Sequence, residues 1–126
     1  MRRLLLTDES EEVLEYLSRE LGNHFELCTS TTGDVMREYV ETFRPDMMVL
    51  DLGMPKYDAI SFLTAIRHKN IRIIATNFYI TEELIRILDD VGVTWLMCKP
   101  LEGYKVVGRL LDMELKIDDP PDRIVR

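Results

Sequence analysis

Residues 44–56 read "RPDMMVLDLGMPK". Met47 to Leu50 are apolar on consecutive positions, so a strand here would be buried on both faces, as in parallel sheets covered by helices. Pro45 before the run, with Gly53 and Pro55 after it, hold it to strand length. Inside it sits Asp51, between Leu50 and Leu52, and an unpaired carboxylate buried there would cost several kcal/mol. The helix it could cap begins several residues later, so the stretch calls for a partner chemistry as well as a strand.

The same type of run recurs on either side. "RLLLT" (3–7), "FELCT" (25–29), "DMMVLD" (46–51), "IRIIAT" (71–76) and "VTWLMC" (93–98) are strand-length and bounded by polar, Gly or Pro residues. Helical patterns alternate with them. The first starts near Ser10, carries Val13, Leu14, Leu17 and Leu21 on one stripe and stops at Gly22, a C-terminal capping residue. The second is signalled by "TTGD" (31–34), has Val35, Tyr39, Val40 and Phe43 as its stripe, and closes at Pro45. The third runs from about Asp58 with Ile60, Leu63 and Ile66 inward and fades at "RHKN" (67–70). The fourth begins at Thr81, with Ile80 and Ile85 placed as a hydrophobic staple, and ends near Gly92. The fifth follows Pro100, with Tyr104, Val107, Leu110, Leu111 and Leu115 as its stripe, weakened by Gly103 and Gly108.

Five β-α units with short connections describe an α/β fold, a five-stranded parallel sheet with helices on both faces. Residues 1–116 form one domain, and "IDDPPDRIVR" (117–126) reads as a C-terminal tail or linker. With 126 residues, 46% hydrophobic and 31% charged, the chain is long enough for one packed core and no more. A net charge of -7 without a clustered basic face argues against nucleic-acid binding through this domain. The apolar run after Arg2 and Arg3 is too short for an export signal, and no window is long enough for a membrane helix, so a cytoplasmic location is expected. Cys28 and Cys98 fit reduced thiols, and the sequence has no CxxC or His/Cys cluster for zinc.

Ligands in open parallel sheets bind beyond the carboxyl ends of the strands, where the strand order reverses. For the order 2-1-3-4-5 that point lies between the first and third strands. Asp8 and Glu9 follow the first strand, Asp51 ends the third, Thr76 the fourth, and Lys99 follows the fifth. Three acids this close repel one another unless a cation sits among them, and a hard divalent ion with phosphate chemistry suits the set. The same order puts Cys28 and Cys98 about 19 Å apart at about 4.8 Å per strand step, beyond disulfide reach.

On this pattern the chain resembles the response-regulator receiver domains of two-component signalling, from "RRLLLTDE" through the fifth helix. The residues that carry the likeness are the acidic doublet, "RPDMMVLDLGMP", "IIAT" and "LMCKP". The resemblance implies a flavodoxin-like fold of receiver type, in which Asp51 takes a phosphoryl group from a histidine kinase or phosphotransfer protein. It implies Mg²⁺ held by Asp8, Glu9, Asp51 and the backbone carbonyl of Gly53, a contact from Lys99 to the phosphoryl group, and Thr76 as the switch hydroxyl. It also implies a cis Lys99-Pro100 bond. Such a protein is not an enzyme on other substrates; it catalyses only its own phosphorylation and dephosphorylation. Its output would pass through the face of the fourth helix, fifth strand and fifth helix to a protein target or effector domain, and a homodimer would use the same face.

The sequence departs from the family pattern at two places. Glu9 stands where the family more often has Asp, and a one-residue shift would make Asp8 the direct ligand with Thr7 its companion. Leu96 stands where the family usually carries an aromatic switch, with Trp95 beside it. Two other readings exist: a non-phosphorylated pseudo-receiver that docks proteins, and an FMN-binding electron carrier suggested by "TSTTGD" (29–34). That loop follows the second strand, not the first, and is better read as a helix cap.

Overall fold

The computed structural model describes residues 1–114 and 123–126. In chain order the elements are β1 (Arg3–Thr7), α1 (Glu11–Leu21), β2 (Glu26–Ser30), α2 (Gly33–Thr42), β3 (Met47–Asp51), α3 (Ala59–Ile66), β4 (Arg72–Asn77), α4 (Glu82–Asp90), β5 (Trp95–Cys98), α5 (Gly103–Glu114) and β6 (Ile124–Val125). A 3-10 turn at Arg67–Lys69 extends α3 and ends at Asn70 in the left-handed region. The strands form one sheet of order β2-β1-β3-β4-β5-β6, with every pair parallel.

Alternation along each strand builds two cores. Leu4, Leu6, Met47, Val49, Ile74 and Met97 face α1 and α5, where Leu14, Leu17, Leu21, Val106, Leu110 and Met113 meet them. Leu5, Met48, Leu50, Ala75 and Leu96 face α2, α3 and α4, against Met36, Val40, Phe62, Leu63, Ile66 and Leu88. All five residues of β3 are buried, as its unbroken apolar run requires.

The helix starts follow local chemistry. Ser10, Asp58 and Thr81 each accept a hydrogen bond from the third residue of their helix, from Val13 N–H (3.3 Å), Ser61 N–H (2.9 Å) and Leu84 N–H (3.1 Å). Thr32 occupies the same position before α2, but its hydroxyl caps nothing there. Instead Gly33 N–H donates to the Pro55 carbonyl at 2.9 Å, tying α2 to the loop after β3.

The fold class is as expected, with differences of detail. Among the described residues the sheet has six strands rather than five, because Ile124–Val125, within the expected tail, pair with Leu96 and Met97 of β5. The boundary at 116 and Leu115 lie outside the described residues. In α2 the buried face is Gly33, Met36 and Val40, and Val35 is exposed. Ile60 and Tyr104 also point outward, while Phe62, Val106 and Met113 take the inward places. These errors share a cause: side chains one position apart lie about 100° apart on a helix, so a stripe counted from the wrong first residue slips onto the flank. Gly22 does cap α1, but in right-handed conformation. A Cβ there would come 2.9 Å from the Ser18 carbonyl oxygen, so close approach explains it rather than the left-handed turn. Gly92, at φ 86, is the glycine that ends its helix in that turn.

Gly33 is the tightest glycine. A Cβ on it would fall 2.2 Å from Tyr57 Cβ and 2.8 Å from the Lys56 carbonyl oxygen. Gly33→Ala is therefore expected to cost about 1–3 kcal/mol, by overpacking, whereas Gly108→Ala, with open space around it, should stabilise α5 by about 0.5–1 kcal/mol. Thermal unfolding of the two variants against the parent checks both signs.

Candidate functional site

β1, β3 and β5 deliver three charged groups to one point at their carboxyl ends. Asp8, Asp51 and Lys99 are 2%, 1% and 8% exposed, and charges so enclosed persist only when paired. Lys99 Nζ donates to Asp51 Oδ2 at 2.8 Å and lies 3.1 Å from Asp8 Oδ2. The Glu9 backbone N–H donates to Asp51 Oδ2 at 2.9 Å, and Gly53 N–H to Asp51 Oδ1 at 2.8 Å. Asp51 is thus held by one ammonium and two amides.

Asp8 is less completely satisfied. Its Oδ1 accepts from Ser10 N–H at 2.9 Å, so it also braces the start of α1. Its Oδ2 is buried with no hydrogen-bond partner, and the Lys99 ammonium reaches it as a charge contact without hydrogen-bond geometry. An orphaned carboxylate oxygen beside a second carboxylate suits a hard cation that brings its own waters. The residues present therefore fit Mg²⁺. Among the described residues, no three His, Cys, Asp or Glu side chains cluster as a metal-holding group.

Glu9, expected beside Asp8, has an exposed side chain, and what it brings to the pocket is its amide. Thr7 is fully buried and stitches β1 to β3: its hydroxyl donates to the Val49 carbonyl at 2.8 Å and accepts from Asp51 N–H at 3.0 Å. Thr7 and Asp8 thus occupy the interior positions of the shifted register. Thr76 stands opposite Asp51 in the β3–β4 register and is fully buried. Its hydroxyl reaches the Leu50 carbonyl at 3.5 Å, the outer limit of a hydrogen bond and a weak tie. The Lys99-Pro100 bond is cis, as the resemblance implies.

Two further residues belong here. Tyr57 donates its hydroxyl to the Asp51 backbone carbonyl, and burial, then the Asp51 charge, pushes its phenol well above the ordinary value. It remains a proton donor at any physiological pH. Nothing in the sequence marks it, since the contact depends on how the loop after β3 folds back. Phe78, half exposed, lays its ring 5.1 Å from Lys99 Nζ, within cation–π range. Leu96, at the expected aromatic position, is buried against the α2–α4 core, and Trp95 joins the other core.

Burial alone would lower the Lys99 pKa, but the hydrogen bond to Asp51, the close contact with Asp8 and the charges of both carboxylates outweigh it and raise it above the ordinary 10.5. The lysine is charged at neutral pH. A raised folded-state value means that its contribution to stability is complete below pH 10.5 and is lost as pH rises through the folded value. Urea unfolding from pH 7 to 11 is expected to show a stability loss confined to the top of that range, to which the raised Tyr57 phenol also contributes, and a smaller loss in a Lys99→Met background.

Cys28 and Cys98 are both free thiols, on β2 and β5. Among the described residues no helix is long and apolar enough to cross a membrane.

Residues 4–110 match the sequence family described as the response regulator receiver domain. The transcriptional regulatory protein PrrA of Mycobacterium leprae is 42% identical over 67 residues, covering 52% of this chain and 28% of that protein. The alkaline phosphatase synthesis transcriptional regulatory protein PhoP of Bacillus subtilis is 26% identical over 112 residues, covering 86% of this chain and 47% of that one. The chain thus spans about a quarter to a half of these relatives. Among solved structures, a CheY-like response regulator receiver domain protein from Methanospirillum hungatei superposes with a TM-score of 0.84 at 14% identity, covering 92% of this chain and 95% of that one. The response regulator DrrB of Thermotoga maritima does so with a TM-score of 0.82 at 18% identity, covering 92% and 54%. At these identities the superpositions establish the fold.

Proposed function

The chain belongs to the response regulator receiver domain family, and from that premise we propose that Asp51 is a phosphoacceptor served by a partner histidine kinase or phosphotransfer protein. The observation that carries this reading is the buried trio: Lys99 Nζ 2.8 Å from Asp51 Oδ2 and 3.1 Å from Asp8 Oδ2. A structural lysine would be satisfied by one carboxylate. Here a second carboxylate keeps an oxygen without a donor, a poor arrangement for stability alone and a good one for an incoming cation and anion.

In the reaction a carboxylate oxygen of Asp51 bonds to phosphorus as the bond from phosphorus to the donor imidazole nitrogen breaks. Asp8 and Asp51 would hold Mg²⁺ with the Gly53 carbonyl, Glu9 standing at the rim; the ion, when bound, offsets charge on the phosphoryl oxygens. Glu9 N–H and Gly53 N–H keep the Asp51 carboxylate oriented, and Tyr57 fixes its backbone. Lys99 supplies a full positive charge where phosphoryl oxygens would lie. Thr76, held only weakly at Leu50, is free to turn its hydroxyl toward the new group. That turn would move the loop carrying Phe78 and reshape the surface of α4, β5 and α5, through which a protein target, an effector domain or a second copy would read the state. The domain would catalyse only its own phosphorylation and dephosphorylation.

The test is incubation with Mg²⁺ and acetyl phosphate followed by intact mass. One added phosphoryl group, removable by hydroxylamine as acyl phosphates are, supports the reading. No adduct at any donor concentration would leave a docking module of the same fold.

Phe78 leads to a separate expectation. Its ring packs 5.1 Å from Lys99 Nζ; a bulky ring this near the acceptor would hinder water from reaching the acyl phosphate, so the phosphorylated protein should lose phosphate slowly. Phe78→Ala should speed that loss by letting water reach the acyl phosphate. An unchanged decay of the adduct would remove Phe78 from the mechanism.

A further inference from the structure

An edge strand presents unpaired N–H and C=O groups to any extended chain that fits them. β5 would be such an edge in a five-stranded sheet, but here the chain covers it with its own residues. Leu96 N–H donates to the Arg123 carbonyl at 3.1 Å, and Leu96 and Met97 pair in parallel with Ile124 and Val125. Ile124 packs onto the α2–α4 core and Val125 onto the α1–α5 core, so the short strand continues both sides of the sheet. Arg126 donates to the Ile80 carbonyl at 3.1 Å and lies 3.6 Å from the Glu82 carboxylate. Both acceptors flank the start of α4.

These anchors lead back to the pocket. Val125 is in register with Met97, and Met97 with Thr76, which itself faces Asp51. Lys99 N–H donates to the Asn77 carbonyl at 2.8 Å, tying the lysine to the last residue of β4. Arg126 grips the loop that follows at Ile80, three residues beyond Asn77 and two beyond Phe78, whose ring lies 5.1 Å from Lys99 Nζ. The exposed Arg126–Glu82 ion pair adds little by itself, and two paired residues make a small interface. A resident of this kind leaves easily when its anchors shift.

We propose that Arg123–Arg126 is an intramolecular strand ligand of the β5 edge, seated while Asp51 is unmodified and released when Asp51 carries a phosphoryl group. The inference rests on the phosphoacceptor reading. Turning Thr76 and Lys99 toward new oxygens moves β4, β5 and the loop that Arg126 holds, so both anchors are disturbed together. Release would bare the Leu96 and Met97 backbone between α4 and α5, a surface closed in the resting protein.

Amide hydrogen exchange at Leu96, followed by NMR, tests this on the whole chain. In the resting protein the Leu96 amide is expected to be protected, and Ile124→Asp or Arg126→Ala should speed its exchange at least about tenfold with the other β5 amides less affected. Mg²⁺ and acetyl phosphate should bring the parent protein toward the rate of the variants, and Asp51→Asn should not respond. Exchange in the resting parent as fast as in both variants overturns the resident strand. A phosphoryl adduct seen by mass, with Leu96 still protected, overturns the release. Absence of any adduct overturns the release together with the phosphoacceptor reading, and mass alone identifies that case.

Discussion

Asp51→Asn is expected to give a folded protein that takes up no phosphoryl group under conditions where the parent does so. The amide is nearly the size of the carboxylate and keeps one acceptor oxygen, so either Gly53 N–H or Lys99 can still be served. Removing one of two neighbouring acids also relieves repulsion with Asp8. Against that, a charge-assisted bond to Lys99 is lost, worth about 1.5–3 kcal/mol. The two effects oppose each other, and the fold should survive. The nucleophile does not: an amide oxygen cannot form the acyl phosphate. Intact mass after incubation with acetyl phosphate and Mg²⁺ reads the outcome, with near-ultraviolet circular dichroism as the control for folding. An adduct of undiminished yield in the variant would move the acceptor away from Asp51.

Lys99→Met is expected to be the most destabilising change at the site. Its side chain is 6% exposed and the two carboxylates it faces 3% and 2%. Taking away the cation leaves two buried acids facing each other, and breaking buried pairs in this way costs about 3–5 kcal/mol. Methionine keeps most of the volume, so the loss is electrostatic rather than a cavity. Added Mg²⁺ should restore much of it, since a metal that binds only the folded state stabilises by mass action. Urea midpoints with Mg²⁺ and with a chelator should therefore differ far more for Lys99→Met than for the parent. A variant whose midpoint ignores Mg²⁺ would show that Asp8 and Asp51 do not form a cation site.

Legibility differed between the parts of this protein for physical reasons. The sheet was readable because parallel strands buried on both faces need unbroken apolar runs, and "MMVL" can hardly be anything else. Helix starts were readable where a Ser, Asp or Thr supplies a cap, as at Ser10, Asp58 and Thr81. Helix faces were less so: Val35, Ile60 and Tyr104 are apolar residues that the fold leaves outside. The pocket followed from topology, which sends Asp8, Asp51, Thr76 and Lys99 to one edge whatever the side chains do there.

The sequence by itself determined the alternation of strands and helices, which depends on hydrophobic period, and the acids and the lysine at the carboxyl ends, which depend on residue type; the strand order and the family followed from the fold and motifs that this pattern resembles. Tertiary structure alone decided which acid of the doublet faces inward. A residue's side in a turn is set by the turn, and here it turns Asp8 in and Glu9 out. It alone decided that Tyr57 closes on Asp51 and Gly33, a contact made by a folded-back loop, and that Ile124–Val125 become a sixth strand. Two residues carry too little periodicity to announce a strand; the open edge of β5 supplies the partner that makes them one.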